Sequence, residues 1–439
     1  MQSIFRTKVT ENNQSTQIPA IQMKVFKFGG ASINSIERIK NVATIIQSYT
    51  GEKLLVIISA MGKTTNALEK VAEVFFAGNK DEALDLFYQI KKGHLDILHQ
   101  LTPAPTTILN DLFTEVEWLL HDNPVRDYDY YYDQIVCCGE LLSTAIISNY
   151  LNSIAIKNSW VDVRDIIRTD DNFRDATIDW AFTTQKVQEE IKPIFAASNI
   201  VITQGFIGAT DENESVTLGR EGSDYSAAIF ANMLNAELVT IWKDVEGVMN
   251  ADPKIFPEAQ FIPTLSYTEL IEMAYYGAQV IHPKTIQPLQ NKNIPLQVRC
   301  FLQPALPGTI ITATPVHQLP PVIVVKNNQV LMQFSSKDFS FVEDNLVNKL
   351  HQLFVAIKIR PNLSQNAAIS LYCCLDDKAE KIEKLALAAS EWFDVQVEKE
   401  VALLTIRHYN DVIVKQLTAG KIALLSQKTK ETIQILVKQ

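Results

Sequence analysis

No apolar run in the sequence approaches the roughly 20 residues needed to cross a bilayer. The first 22 residues, MQSIFRTKVTENNQSTQIPAIQ, also lack the apolar stretch of a signal peptide. These absences predict a cytoplasmic chain with residues 1–22 as a flexible N-terminal arm. Met23, directly before the first strand pattern, is a second candidate start beside Met1. Basic charge is in deficit: 40 Lys and Arg face 50 Asp and Glu, for a net charge of −10. Nucleic acids and anionic membranes need a basic surface, so both are excluded as main partners. A small anionic substrate is not, because a few local cations suffice to hold one. Cysteine is scarce. Cys137, Cys138, Cys300, Cys373 and Cys374 are odd in number and contain no C-x-x-C spacing, which argues against a disulfide framework or a zinc site and for reduced thiols. His94 and His99 have no second ligand at a suitable spacing, and no metal-binding residues are expected.

What is present supports a folded chain of two or three domains, since 47% of the residues are apolar. Met23 to Phe28 reads as a strand, followed by Gly29-Gly30. A helix pattern opens after Ser32 or Ser35, with Ile36, Ile39, Ala43 and Ile46 on one face. Leu54 to Ser59 is a continuous apolar run, as in a strand buried on both faces. This strand–helix–strand order predicts a mainly parallel α/β sheet. Residues 67–155 are helical in pattern. Ile200 to Thr203 and Glu237 to Trp242 read as further buried strands around a helix from Tyr225 to Leu234. Ser266-Tyr267-Thr268-Glu269 reads as a capping box, and Ile294 to Cys300 as the last strand of this part.

Residues 304–321, rich in Pro and Thr, read as a linker. Beyond it two rough repeats follow. The first has strands at Val330 to Phe334, Ala356 to Ile359 and Ala368 to Cys373, with a helix after Ser340. The second has strands at Ala402 to Ile406, Lys421 to Leu425 and Thr432 to Val437, with a helix at Asp411 to Leu417. Neither carries clustered catalytic residue types, so sensing or pairing is their expected role. The tyrosines of DYDYYYD read as packing and surface aromatics, and His282 before Pro283 as a helix start.

Four segments suggest phosphate handling. In Lys27-Phe28-Gly29-Gly30 a strand-end lysine stands beside glycines that let backbone N–H groups approach an anion; alone, the motif is better read as a tight turn. Ser59-Ala60-Met61-Gly62-Lys63-Thr64-Thr65-Asn66 fails as a P-loop, because Ile57 stands where its first glycine belongs. It reads equally as an anion-binding loop or an ordinary helix cap. Thr217-Leu218-Gly219-Arg220-Glu221-Gly222-Ser223-Asp224 opens a helix with an arginine able to grip a carboxylate and an aspartate able to orient an ammonium group. Trp242-Lys243-Asp244-Val245-Glu246-Gly247-Val248, running on to Lys254, follows a buried strand, the place where ligands collect in open α/β sheets; the alternative is a surface loop of scattered charge.

Together with T-Q-G-F-I-G and G-A-Q-V-I-H-P-K-T, these segments resemble, in the right order over about residues 24–300, the amino acid kinase superfamily and aspartate kinase within it. The region after about residue 320 resembles paired ACT domains. The resemblance implies a three-layer α/β kinase domain over residues 23–303 with a mainly parallel central sheet, a first α+β ACT-like unit at 322–398, and a second at 399–439 that lacks its last helix. It implies transfer of the γ-phosphoryl group of ATP, with Mg2+, to the side-chain carboxylate of L-aspartate. By the same resemblance Lys27 contacts the transferring group and Asp224 orients it. Gly29, Gly30 and Ser59 lie by the phosphates. Thr65, Glu140, Phe206, Arg220 and Ser223 form the aspartate pocket, with Arg220 on the α-carboxylate and Glu140 on the α-ammonium. Lys243, Asp244, Met249 and Lys254 lie along the nucleotide. It further implies a homodimer or higher homo-oligomer formed through the ACT-like units, and no homoserine dehydrogenase half. Two residues depart from the family pattern: Glu221 stands where glycine is frequent, and Gln279 where many members have lysine. The rival readings are a kinase of the same superfamily with another acceptor, and a weakly catalytic amino-acid sensor. Lysine, threonine and no effector are all open.

Overall fold

The structure, a computed structural model, describes residues 23–102, 107–278, 280–338, 341 and 344–438, so the expected arm and Gln279 lie outside the described residues. Chain order begins with Met23–Phe28 (β1), Ile36–Gln47 (α1) and Lys53–Ile58 (β2). Ser35 caps α1 by accepting from the Arg38 N–H, and Ile39, Ala43 and Ile46 are buried on its inner face. Every residue of β2 after Lys53 is buried, so helices cover both faces of the sheet at this strand. Thr64–Phe76 (α2), Lys80–Leu101 (α3), Thr107–His121 (α4) and Tyr128–Ser153 (α5) fill the expected helical stretch. Tyr131 and Tyr132 are buried there, as packing residues.

Ser159–Trp160 (β3), Trp180–Lys186 (α6), Lys192–Ala197 (α7) and Ile200–Gln204 (β4) follow, then a hairpin of Ile207–Ala209 (β5) and Ser215–Thr217 (β6). Gly222–Leu234 (α8) leads into Leu238–Lys243 (β7), a second small pair of Val248–Met249 (β8) and Phe261–Ile262 (β9), and Thr264–Ser266 (β10). Tyr267–Tyr276 (α9), Pro283–Gln290 (α10), Leu296–Cys300 (β11) and Thr309–Thr312 (β12) complete this part. The eight-stranded sheet has the order β10-β12-β11-β7-β1-β2-β4-β3, and every pairing in it except β11 with β12 is parallel. The region read as a linker therefore contains a strand. Thr309 to Thr312 pairs with both β10 and β11, and its proline-rich flanks hide four β-compatible residues.

The C-terminal part runs Val322–Ser336 (β13), Asp344–Ala356 (α11), Leu363–Asn366 (β14), Ser370–Asp376 (β15), Ala379–Ala389 (α12), Phe393–Arg407 (β16), Asp411–Thr418 (α13), Ile422–Lys428 (β17) and Thr432–Lys438 (β18). It forms one antiparallel sheet of order β14-β15-β13-β16-β18-β17. The expected division at 398/399 falls inside β16. Residues 322–326 pair with 403–407, so the start of β13 supplies the second repeat with an additional strand. The strand expected at Ala356 to Ile359 is instead a helix end. Lys358 takes φ 53°, and the Ile359 N–H bonds the Phe354 carbonyl at 2.9 Å, closing α11.

The two sheets meet through α9. Ser266 caps it, accepting from the Glu269 N–H at 3.1 Å. The Glu269 carboxylate, expected to complete the capping box, is bound instead by Arg407 of β16 through two contacts at 2.7 and 2.8 Å. Both side chains are only 8% exposed. A buried, bidentate charge pair is more favourable than a bond to one backbone N–H, which explains the diversion. Asn250 also joins the parts, accepting at its carbonyl from the Ile323 N–H at 2.7 Å and donating from its side chain to the Pro321 carbonyl at 2.8 Å. Burial pushes the Glu269 carboxyl up, but Arg407 outweighs it and leaves it below its usual 4.5. Its stabilising contribution is thus present above that value and lost as pH falls through the depressed one. Arg407→Met leaves the buried Glu269 only His408 Nε2, 3.1 Å away, in place of the bidentate guanidinium, and is expected to destabilise by about 3–5 kcal/mol in denaturant unfolding near neutral pH. A cost under about 1 kcal/mol would mean that water replaces the guanidinium.

Candidate functional site

The sheet register sets the site. Phe28 pairs with Ile58 on one side and Trp242 on the other, and Ile58 pairs with Gln204. Gly29, Ser59 and Gly205 therefore leave the sheet level with Lys243, the last residue of β7, at one edge, the carboxyl ends of parallel strands. From β1 the chain proceeds to β2 on one flank, while β7 enters on the other. That reversal makes a crevice at a topological switch point. The two loops leaving β1 and β2 touch: a Cβ on Gly30 would sit 2.5 Å from the Ala60 carbonyl oxygen, so only glycine permits the approach.

Lys27, 12% exposed, reaches from β1 to Asp224 in the first turn of α8, with Nζ 2.8 Å from a carboxylate oxygen. Asp224 is 1% exposed. Lys243 Nζ lies 3.9 Å from its other oxygen and donates to the Val280 carbonyl. Burial pushes the Asp224 carboxyl up, but the two ammonium groups outweigh burial and hold its pKa below the usual value. Hydrogen bonding to Lys27 and to the Glu221 side chain adds to that charge effect in keeping this carboxylate ionised.

Glu140, on the buried helix α5, adjoins the same place. Burial pushes its pKa to about 8 against the opposing pull of Lys27 and of the Ala60 N–H, and its Oε2 has no hydrogen-bond partner. One turn on, Ser143 donates to the Ser59 carbonyl at 2.8 Å and fastens the loop after β2. Thr65 stands half-buried in the first turn of α2, and Ser223 is buried at the start of α8. Phe206 adopts φ 73°. Its N–H donates to Ser226 Oγ at 3.0 Å and its carbonyl accepts from the Leu218 N–H at 2.7 Å, tying the 217–222 loop to the end of β4. Arg220, in that loop, is exposed and has no ion-pair or hydrogen-bond partner among the described residues.

The structure thus gathers Lys27, Asp224, Lys243, Glu140 and Ser59. Lys243, expected along the nucleotide, is placed on Asp224. Asp244 and Lys254 are exposed, Met249 is half-buried in β8, and no contact links these three to Lys27. Sequence reasoning missed the supporting groups. Ser143 and Ser226 are hydroxyls within apolar helices. Asp133 binds the Arg174 and Thr217 N–H groups and the Thr217 hydroxyl, but it was hidden at the end of the tyrosine run. Burial outweighs these donors and raises Asp133 to about 6. The Val280 carbonyl, a backbone group, carries no sequence signal. His282 caps α10, its Nδ1 accepting from the Lys284 N–H at 3.2 Å, and all five cysteines are buried and free.

Comparison with known proteins places this geometry. The model of the amino acid kinase family matches residues 22–300. Aspartokinase 2, chloroplastic, of Arabidopsis thaliana is 36% identical over 299 residues, covering 66% of this chain and 54% of that protein; the chain thus spans about half of that relative's length. Aspartokinase 3, chloroplastic, of the same plant is 32% identical over 398 residues, covering 88% of this chain and 70% of that protein. Among solved structures, Escherichia coli aspartokinase III in complex with aspartate and ADP (R-state) matches with a TM-score of 0.78 at 27% identity, over 95% of this chain and 96% of that one. With the family model spanning most of the chain, and a relative matched over more than two thirds of its own length, the chain belongs to the amino acid kinase family and, within it, to the aspartokinases.

Proposed function

We propose that the protein phosphorylates the side-chain carboxylate of L-aspartate with ATP, giving 4-phospho-L-aspartate and ADP. The observation that carries this reading is the buried Asp224 flanked by Lys27 and Lys243 at the switch point of the sheet, with the buried carboxyl of Glu140 alongside. In the reaction a carboxylate oxygen of aspartate bonds to the γ-phosphorus as the bond to the β-phosphate bridging oxygen breaks, leaving the negative charge on ADP. Two anions must approach each other, so catalysis reduces to placement and charge neutralisation. Lys27, aimed by Asp224, supplies the neutralising charge. Gly29, Gly30 and Ser59 line the turn where polyphosphate oxygens approach backbone N–H groups. Arg220 holds the α-carboxylate and Glu140 the α-ammonium, with Thr65, Phe206 and Ser223 shaping the pocket. Asp244, Met249 and Lys254 extend along the nucleotide.

Mg2+ accompanies the nucleotide in this reading. No group of three or more candidate ligands stands together among the described residues. The described residues alone therefore offer no cage; the ion would be held mainly by phosphate oxygens and would supply charge neutralisation there, and no step above depends on protein ligands to it. The part through Thr312 is read as the kinase domain and the six-stranded sheet as two ACT-like units sharing β13 and β16, through which the chain forms a homodimer.

A coupled ADP-release assay across aspartate, glutamate and N-acetylglutamate tests the assignment; equal rates on all three would remove aspartate as the acceptor. Lys27→Ala is expected to lower kcat by about 10²–10³ through loss of one preorganised charge donor. A loss of less than about threefold, under 1 kcal/mol, contradicts that role. Arg220→Ala is expected to raise the aspartate KM by about tenfold or more while the ATP KM holds, as fits the loss of charge-assisted hydrogen bonds; equal damage to both constants would reassign the arginine. Glu140 binds an ammonium group only when ionised, so kcat/KM for aspartate is expected to rise as pH passes through about 8. The Glu140→Gln variant should lack that ascending limb, and an unchanged profile would separate Glu140 from the substrate.

A further inference from the structure

A cavity of about 880 Å3 lies between the two parts of the molecule, within the size range of small-molecule sites. Arg220, Glu221, Gly277, Ala278 and Val280 are on one wall. Lys326, Lys358, Arg360, Asn362, Asp376 and Lys378 stand on the other. Five cations thus face two carboxylates, in a chain whose overall charge is −10. None of the five has an ion-pair partner within 4.0 Å among the described residues. The carboxylate on the C-terminal wall is held by two amides that also line the cavity, since Asp376 accepts from Asn362 Nδ2 at 2.8 Å and Gln329 Nε2 at 3.1 Å. Asn362 Oδ1 in turn accepts from Lys326 Nζ at 2.8 Å. Lys326 therefore has a neutral partner only, and burial pushes its pKa below the usual value although Asp376 pulls the other way. A half-buried ammonium group in that condition gains from an anion brought beside it.

We propose that this cavity binds a small polyanion carrying at least two negative charges, held by Lys326, Lys358, Arg360 and Lys378, and that its occupancy alters turnover. A cationic ligand is disfavoured by the same charges. Coupling to the kinase site follows from Lys326. Its side chain lies across Gly277, which closes α9 at φ 113° and where a Cβ would fall 2.5 Å from Lys326 Cε. Three residues on is Val280, whose carbonyl holds Lys243 beside Asp224. A ligand that draws Lys326 toward itself acts on the segment that positions Lys243. The binding stands independently of the kinase assignment; the effect on turnover rests on it.

Titration calorimetry on the full chain, in Mg2+-free buffer at about 0.15 M salt to screen diffuse attraction, tests this with citrate and with pyrophosphate. The two probes separate a polycarboxylate from a phosphate ligand. At least one is expected to bind saturably, and Lys326→Met with Arg360→Met to weaken it by about tenfold or more, as fits the loss of two charged contacts. Lys358→Met with Lys378→Met, both at exposed positions, provides a second pair should the first fail to fold. Equal affinity in wild type and a folded variant, or no saturation of either probe below about 10 mM, overturns the site. ADP release is then read with and without the binding probe. A change of about twofold or more in wild type, absent in the variant, is expected, and no change overturns the coupling. Absence of ADP release from the wild type sinks the kinase assignment instead and leaves the titration intact.

Discussion

A carboxylate that is almost wholly buried stays ionised only if neighbouring cations or hydrogen-bond donors replace its lost hydration, and Asp224 is held in that state chiefly by Lys27 and Lys243. The requirement is mutual. Without Asp224 two ammonium groups would face each other at one sheet edge, and without them the carboxyl would take up a proton. The surrounding architecture meets this constraint. Parallel register brings the ends of β1, β2, β4 and β7 level, α8 begins where Asp224 must enter, and the loops after β1 and β2 close against each other at Gly30. The site is therefore a property of strand ends, and the loops only finish it.

Lys243 extends that constraint toward the second sheet. Its ammonium group divides between Asp224 and the Val280 carbonyl, and Val280 lies in the segment leaving α9. The same helix is pinned near its start by Arg407 of β16 and is touched at its end by Lys326 of β13. Both are 15-residue strands of the C-terminal sheet, so a shift in that sheet would bear on both ends of α9. Buried charge at one end and close packing at the other leave the helix little freedom to absorb the shift.

Most of the kinase part was legible in the sequence because its signals are local. Apolar runs marked β2, β4 and β7, Ser35 and Ser266 marked helix starts, and the order of the glycine-bearing motifs pointed to the family. Lys27 and Asp224 were paired through that resemblance, and they lie in contact. What escaped depended on distant partners. Glu269 carried a correct local signal but was claimed by a residue 138 positions away. Thr309 to Thr312 became a strand only because β10 and β11 leave room between them. The start of β13 pairs with residues some eighty positions later, so no reading of either repeat alone would find the shared strand. Ser143, Ser226 and Asp133 support the site from within helices whose composition announced only packing.

Glu221 ties these threads together. It takes φ 57°, a left-handed conformation that costs a non-glycine residue roughly 1–2 kcal/mol. The residue directly precedes α8, where the helix N-terminus favours a negative charge by about 0.3–1 kcal/mol, which offsets part of that cost. Its side chain also bonds to Asp224, and the residue lines the cavity in which cations predominate. A glycine there would relieve the strain and leave the cavity still more positive.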